Sequence, residues 1–311
     1  MARNFRADPA RRRLALAGVV LLAGASAIVL WSLPHASAGG AVPPSHATGA
    51  VGPHAPTGQR QSLLTALLPS APVRYRPIGC VRRGPAVAYT HGPPRKEVAF
   101  GFDDGPSSLT PGFVRMLRAN GAVATFFQIG EQVTARYQAT LHEQLRDGDA
   151  LGDHTYTHPD LTRSNDVGGQ LSSTLRTIRD FSGYTPCVFR PPYGDYDGSV
   201  VRTAAALGLA TVTWNVDPSD YTLPGVTAIR RRVLAQVRPG SIVISHDGGG
   251  PRGQTLAAYP GIIHALRARG YRFVTIPELL GFHTVYRRCV RDCESAAISE
   301  RPPPGSILAP G

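Results

Sequence analysis

The sequence predicts an α/β fold: a parallel sheet of about seven strands that closes toward a (β/α) barrel. Three observations predict it. Short apolar runs recur between residues 97 and 275, each followed by a helix-like stretch. Turn and cap residues punctuate the alternation. The residues of chemical interest fall on the C-terminal ends of the runs, which converge on one mouth in a barrel.

The strand-like runs are Glu97–Phe102, Ala122–Phe127, Asp149–Gly152, Cys187–Arg190, Ala210–Trp214, Ser241–Ser245 and Tyr271–Thr275. Thr110-Pro111 starts a helix, because proline is tolerated in the first turn, and Asn120-Gly121 stops it. Leu171, Leu175 and Ile178 recur at helical spacing. Gly208 and Gly270 suit the C-terminal caps of two more helices. An open doubly wound sheet is the rival arrangement, but no Gly-x-Gly-x-x-Gly follows the first run.

The chain has 311 residues, 42% of them hydrophobic, enough for one sizeable core with flanking segments. Its net charge of +12 is uneven. Residues 1–96 hold twelve Lys and Arg against Asp8 alone, whereas residues 97–283 hold seventeen of each sign. That placement excludes a nucleic-acid-binding surface on the folded body. The basic segment is either simply solvated or drawn to anionic lipid heads or acidic wall polymers.

The charge pattern also organises the N-terminus. Arg3, Arg6, Arg11, Arg12 and Arg13 precede the apolar run Leu14–Trp31, and Ala36-Ser37-Ala38 resembles a small-residue cleavage site. Residues 1–38 therefore read as a cleaved signal or an uncleaved membrane anchor, and the protein as extracytoplasmic, secreted or anchored facing the wall. Residues 39–94 read as a Pro/Gly/Ala-rich basic stalk and a segment wrapping the domain, 95–283 as the domain, and 284–311 as a tail. Export permits disulfides among Cys80, Cys187, Cys289 and Cys293, with three pairings open. Cys187 sits in an apolar run and suits a buried free thiol. At least one of Cys289 and Cys293 is expected to pair.

Several short motifs carry chemistry. Asp103-Asp104-Gly105 is a carboxylate pair after the first strand, although Asp-Asp-Gly-Pro is also good turn chemistry. His154-Thr-Tyr-Thr-His158 places histidines at i and i+4, able to share one metal. With one aspartate they form a two-His, one-carboxylate set that leaves positions open for water and substrate. Arg190-Pro191-Pro192-Tyr193-Gly194 is stiff, so it places Arg190 reproducibly, and an Arg fork can orient a carboxylate. Asp217 and Asp220 follow the fifth strand. His246-Asp247 ends the sixth, where a histidine near a carboxylate can act as a general acid.

Taken in order, Phe102 to Gly105, His154 to His158, Arg190 to Gly194, Asp217 to Tyr221 and Ile244 to Asp247 resemble the motifs of the polysaccharide deacetylases, the NodB-like carbohydrate esterase family four. The resemblance covers about residues 95–283. It implies a distorted, incomplete (β/α) barrel and a hydrolase that removes acetyl groups from a polysaccharide. It implies Asp103 as base, Asp104, His154 and His158 as ligands of one divalent metal (zinc first, cobalt or another transition metal otherwise), and Arg190 as the group orienting Asp103. Tyr193 would lend its backbone N–H to the oxyanion, His246 would be the acid and Asp220 would tune it. Tyr221, Ile244 and Pro192 would line the acetyl pocket. Tyr221 stands where the family often has Trp, and Gly101 where Thr is common, with little effect expected on the chemistry. The substrate implied is a GlcNAc polymer, peptidoglycan or chitin oligomers. An O-acetyl esterase on xylan and an inactive wall-binding protein are the alternatives. A monomer is expected, with the membrane as partner if the first segment stays.

Overall fold

The computed structural model describes residues 74–289, 302 and 305–310. The apolar run Leu14–Trp31, the stalk up to residue 72 and Cys293 lie outside the described residues. Among those described, no helix is long and apolar enough to cross a membrane.

The chain opens with β1 (Arg74–Val81) and β2 (Ala88–Tyr89). Then β3 (Glu97–Gly105) leads to α1 (Thr110–Ala119), and β4 (Thr125–Gln128) to α2 (Gln138–Arg146). Next come β5 (Ala150–Asp153) with α3 (Val167–Ser182), β6 (Val188–Phe189) with α4 (Gly198–Ala206), and β7 (Ala210–Val212) with α5 (Val226–Gln236). The last units are β8 (Ser241–His246) with α6 (Gly253–Ala268), then β9 (Arg272–Phe273) with the short α7 (Ile276–Leu279). β10 (His283–Cys289) and β11 (Ile307–Leu308) close the chain.

The seven expected strands are β3 to β9, and every pairing among them is parallel. The sheet runs β2-β7-β6-β5-β4-β3-β8, with β9 also beside β3. Between β7 and β8 the wall is closed only by the isolated bridge Val216–Val243 and a few neighbouring bonds. The result is the expected distorted (β/α) barrel. Helix α1 begins at Thr110 and ends at the Asn120 cap, as expected. Asp197 and Asp166 cap α4 and α3 by accepting from backbone N–H groups, and Gly208 and Gly270 take left-handed φ after α4 and α6.

Strand alternation sorts β3 into two faces. Phe100 and Phe102 point to the helices, where Phe102 packs on Phe113, Phe126 and Tyr259 at 4.7–5.4 Å between ring centres. Gly101 and Asp103 point inward. This aromatic cluster anchors the strand whose far end carries Asp103 and Asp104.

Two features were not anticipated. First, β1 pairs antiparallel with β10 and β10 parallel with β11 in a separate three-stranded sheet. The segments read as wrap and tail thus join one sheet. Second, Cys187 is no free thiol: it is disulfide-bonded to Cys80, tying β1 to the start of β6. Cys289 is disulfide-bonded as well. The Cys80–Cys187 bridge closes a loop of 107 residues. Replacing both cysteines by alanine is expected to cost about 2–5 kcal/mol. Denaturant unfolding without reductant checks this, and an unchanged midpoint would refute it.

Candidate active site

The mouth is built from strand ends. β3 runs on past Phe102, and a bulge against β4 falls between Asp103 and Gly105. Asp104 occupies it with φ 68°, a left-handed conformation rare for a non-glycine residue. The bulge matters because consecutive strand residues otherwise face opposite sides. Here both carboxylates reach the mouth.

Asp103 is buried against the equally buried Arg190, whose Nη1 donates to Asp103 Oδ1 at 2.8 Å. Arg190 leaves β6 and lies over the Phe127 ring, 4.2 Å from its centre, and Nη2 donates to the Thr213 carbonyl at 3.3 Å. Gly101 lies beneath the guanidinium: a Cβ there would lie 2.3 Å from Arg190 Nη1, so Arg190 occupies space that a side chain at 101 would contest.

Asp104, His154 and His158 converge. Asp104 Oδ1 lies 3.4 Å from His154 Nε2 and 3.3 Å from His158 Nε2. The ligand-type atoms of the three lie within 4.8 Å of one another. His154 and His158 reach this point from a loop, not a helix, with Thr155 and His158 both left-handed. The Asp153 carboxylate accepts from Thr155 N and the Thr155 hydroxyl from His158 N, which holds the loop.

Three details fit a divalent cation at this point. Asp104 Oδ1 is buried without a hydrogen-bond partner. His154 Nδ1 donates to the Arg190 carbonyl at 2.7 Å, which fixes Nε2 as the atom facing Asp104. Burial, then the neighbouring His154, push the His158 imidazole below its ordinary pKa against the pull of Asp104 and Asp103, leaving it neutral with a lone pair to offer. Burial opposes the charge on Asp104, but the imidazoles, His154 first, outweigh it and hold the carboxyl well below the usual range. A carboxylate with two imidazoles is a donor set for zinc and similar ions.

Across the mouth, His246 is the register partner of Asp103 on the adjacent parallel strand. Its Nδ1 lies 2.8 Å from Asp220 Oδ1, and its backbone N–H donates to Asp220 Oδ2. Burial lowers the imidazole's pKa, but the hydrogen bond and charge of Asp220, helped by Asp103 and Asp104, overcome this and raise it above its ordinary value. Ile244 precedes His246 by two on the same face and is buried, as is Pro192. Tyr193 has φ 61° and its ring meets His158 edge-on at 4.8 Å; Tyr221 meets His246 edge-on at 5.9 Å. The two tyrosines are 62% and 55% exposed, so His158 and His246 each carry an accessible aromatic flank.

Asp217 stays outside, accepting from Ser219 N in its own loop. Two supporting residues went unforeseen. Thr255 on α6 donates to Asp220 Oδ2 at 2.8 Å. Thr110, foreseen only as a helix start, donates to the Asp247 carboxylate. Burial pushes that carboxyl up to about 7, with Thr110 opposing and the charges of Asp104 and Asp103 adding. A lone threonine inside a helix gives no sequence signal.

Residues 90–212 match the family model for polysaccharide deacetylase. A peptidoglycan-N-acetylglucosamine deacetylase of Bacillus cereus is 39% identical over 193 residues, 60% of this chain and 89% of that protein. The chain belongs to the polysaccharide deacetylase family. A chitooligosaccharide deacetylase of Azorhizobium caulinodans is 36% identical to this deacetylase over 191 residues, 57% of this chain and 90% of the relative. The fold matches that of a peptidoglycan N-acetylglucosamine deacetylase crystallised with an N-hydroxybenzamide compound, with TM-score 0.60 and 31% identity, covering 62% of this chain and 92% of that one. The protein is thus an enzyme of the deacetylase class, and that class is metal-dependent.

Proposed function

We propose that this deacetylase hydrolyses N-acetyl groups on GlcNAc units of a wall polysaccharide, peptidoglycan before chitin oligomers, outside the cytoplasm. The carrying observation is one mouth that presents three separate units: the Asp103–Arg190 pair, the Asp104–His154–His158 donor set and the Asp220–His246 pair. Both relatives named above are deacetylases of GlcNAc-containing substrates, which supports the choice of polymer.

Asp104, His154 and His158 would hold one divalent metal, zinc first. When bound, such an ion polarises an amide carbonyl and makes water more acidic. The remaining work falls to this chain's residues. Asp103, fixed by Arg190, takes a proton from the attacking water. The water oxygen bonds to the carbonyl carbon, and the Tyr193 backbone N–H offers a donor for the oxyanion that forms. His246 gives its Nε2 proton to the amide nitrogen as the C–N bond breaks, leaving acetate and a free amine. Ile244, Pro192 and Tyr221 wall the acetyl methyl.

The assay is acetate release by residues 68–311 from peptidoglycan, chitin oligomers and acetyl-xylan. Release from peptidoglycan above the other two is expected. Preferential release from acetyl-xylan would replace the amide reading with an ester one, and no release from any would support an inactive wall-binding role.

The raised pKa of His246 predicts a pH effect. A raised value keeps the acid protonated past neutrality, and activity is lost as pH rises through it. In Asp220→Asn the main raising influence is gone and burial lowers the value. The alkaline limb of the pH–kcat profile is expected to move to lower pH. A limb that stays in place would show that Asp220 does not tune His246.

A further inference from the structure

We propose that Arg252 is a positioning residue for the Asp104 ligand, acting through the Gly248-Gly249 step; this deepens the metal reading above and rests on it. The loop between β8 and α6 turns back onto Asp104. The backbone N–H groups of Asp247 and Gly248 both donate to the Asp103 carbonyl, at 3.1 and 3.2 Å. A Cβ at Gly248 would lie 1.7 Å from the Asp104 carbonyl oxygen, and one at Gly249 would lie 2.3 Å from Asp104 Oδ2. Gly249 also has φ +66°, open to glycine without strain. Main chain therefore packs directly on the ligand's carboxylate, where any side chain would displace it.

Something must hold that glycine-rich loop still, since glycines supply no packing of their own. Arg252 does so. Its Nε donates to the Gly248 carbonyl at 2.6 Å and its Nη2 to the Gly249 carbonyl at 3.0 Å. One planar guanidinium thus clamps two consecutive carbonyls, a match that only a forked donor provides. The residue is 5% exposed and has no carboxylate partner among the described residues. A buried cation satisfied by neutral carbonyls alone is a costly arrangement for a loop with no task.

The task is visible at Asp104. Its left-handed φ is strained and persists only where the surroundings over-determine it. Arg252 fixes the loop, the loop fixes the Asp104 carboxylate, and the carboxylate keeps its place between the two imidazoles. Loss of a group that orients a metal ligand typically weakens metal affinity about 10–100-fold.

The test is zinc affinity of the full chain by chelator competition, for wild type, Arg252→Met and Arg252→Lys, with circular dichroism and thermal unfolding of each apo form. Arg252→Met is expected to bind zinc about 10–100-fold more weakly with its fold retained, and Arg252→Lys, which keeps charge but not the fork, to fall between. Affinity within twofold of wild type in both variants overturns the proposal. So does a loss of thermal stability with zinc affinity unmoved, which marks a structural role only. If Arg252→Met fails to fold, Arg252→Lys alone decides by the same criterion. If wild type binds no zinc, the metal reading itself falls and takes this one with it, an outcome that the wild-type titration identifies separately.

Discussion

Asp103→Asn is expected to lower kcat for acetate release by about 10²–10⁴-fold while leaving zinc affinity within a few-fold of wild type. Asparagine keeps an oxygen facing Arg190 Nη1, so geometry survives, but it cannot take a proton from water. The separation of the two readouts follows from the structure. Asp103 bonds to Arg190 and not to the histidines, whereas the adjacent Asp104 faces His154 and His158. Asp103→Ala is a poorer probe. It strips a buried arginine of its partner, which typically costs about 3–5 kcal/mol, and lost activity would then reflect lost fold. Kinetics of Asp103→Asn at saturating zinc decide the matter, and near-wild-type kcat would remove Asp103 from the role of base.

His154→Ala is expected to abolish activity to the assay's floor and to remove stoichiometric zinc binding. The same histidine carries two constraints. Its Nε2 is one of three donors, and its Nδ1 ties the loop to the Arg190 carbonyl. Losing it therefore loosens the link between the donor set and the Asp103–Arg190 pair. His158→Ala removes a donor without that link, so it is expected to weaken zinc binding less while still reducing activity severely. Metal content by atomic emission and acetate release at excess zinc check both variants. Full activity of His154→Ala in excess zinc would contradict the assignment.

The mouth was legible because its residues sit on strand ends, and strand ends are marked by the switch from apolar runs to polar pairs. Asp103-Asp104, His154, Arg190 and His246 each follow such a run. The bulge at Asp104 was not legible: turn chemistry at Asp-Asp-Gly-Pro is compatible with several backbone paths, and only the ladder to β4 selects one. β1 and β10 escaped notice for a different reason. Arg74–Val81 carries Pro77 and Gly79, and His283–Cys289 carries two consecutive arginines, so neither has a clean apolar alternation. Each is a strand because the other is present, some two hundred residues away, and local sequence does not encode a distant partner. Cys187 was misread on the same ground. Its apolar neighbours suit a buried thiol, and only β1 crossing the start of β6 brings Cys80 within reach.

Gly101 shows the limit of reading a motif by chemistry alone. The position has no reactive group, yet Arg190 lies in the space that a side chain there would contest. Gly248 and Gly249 behave in the same way toward Asp104. Glycines beside a site can matter for the volume they leave as much as for the turns they permit.

X-ray absorption of the full chain loaded with one equivalent of zinc tests the central claim most directly. The account predicts one zinc per chain with two imidazole nitrogens and carboxylate or water oxygen at about 2.0–2.2 Å, no sulfur, and loss of the imidazole signal in His154→Ala. Sulfur in the first coordination sphere, or a spectrum unchanged by His154→Ala, would contradict it.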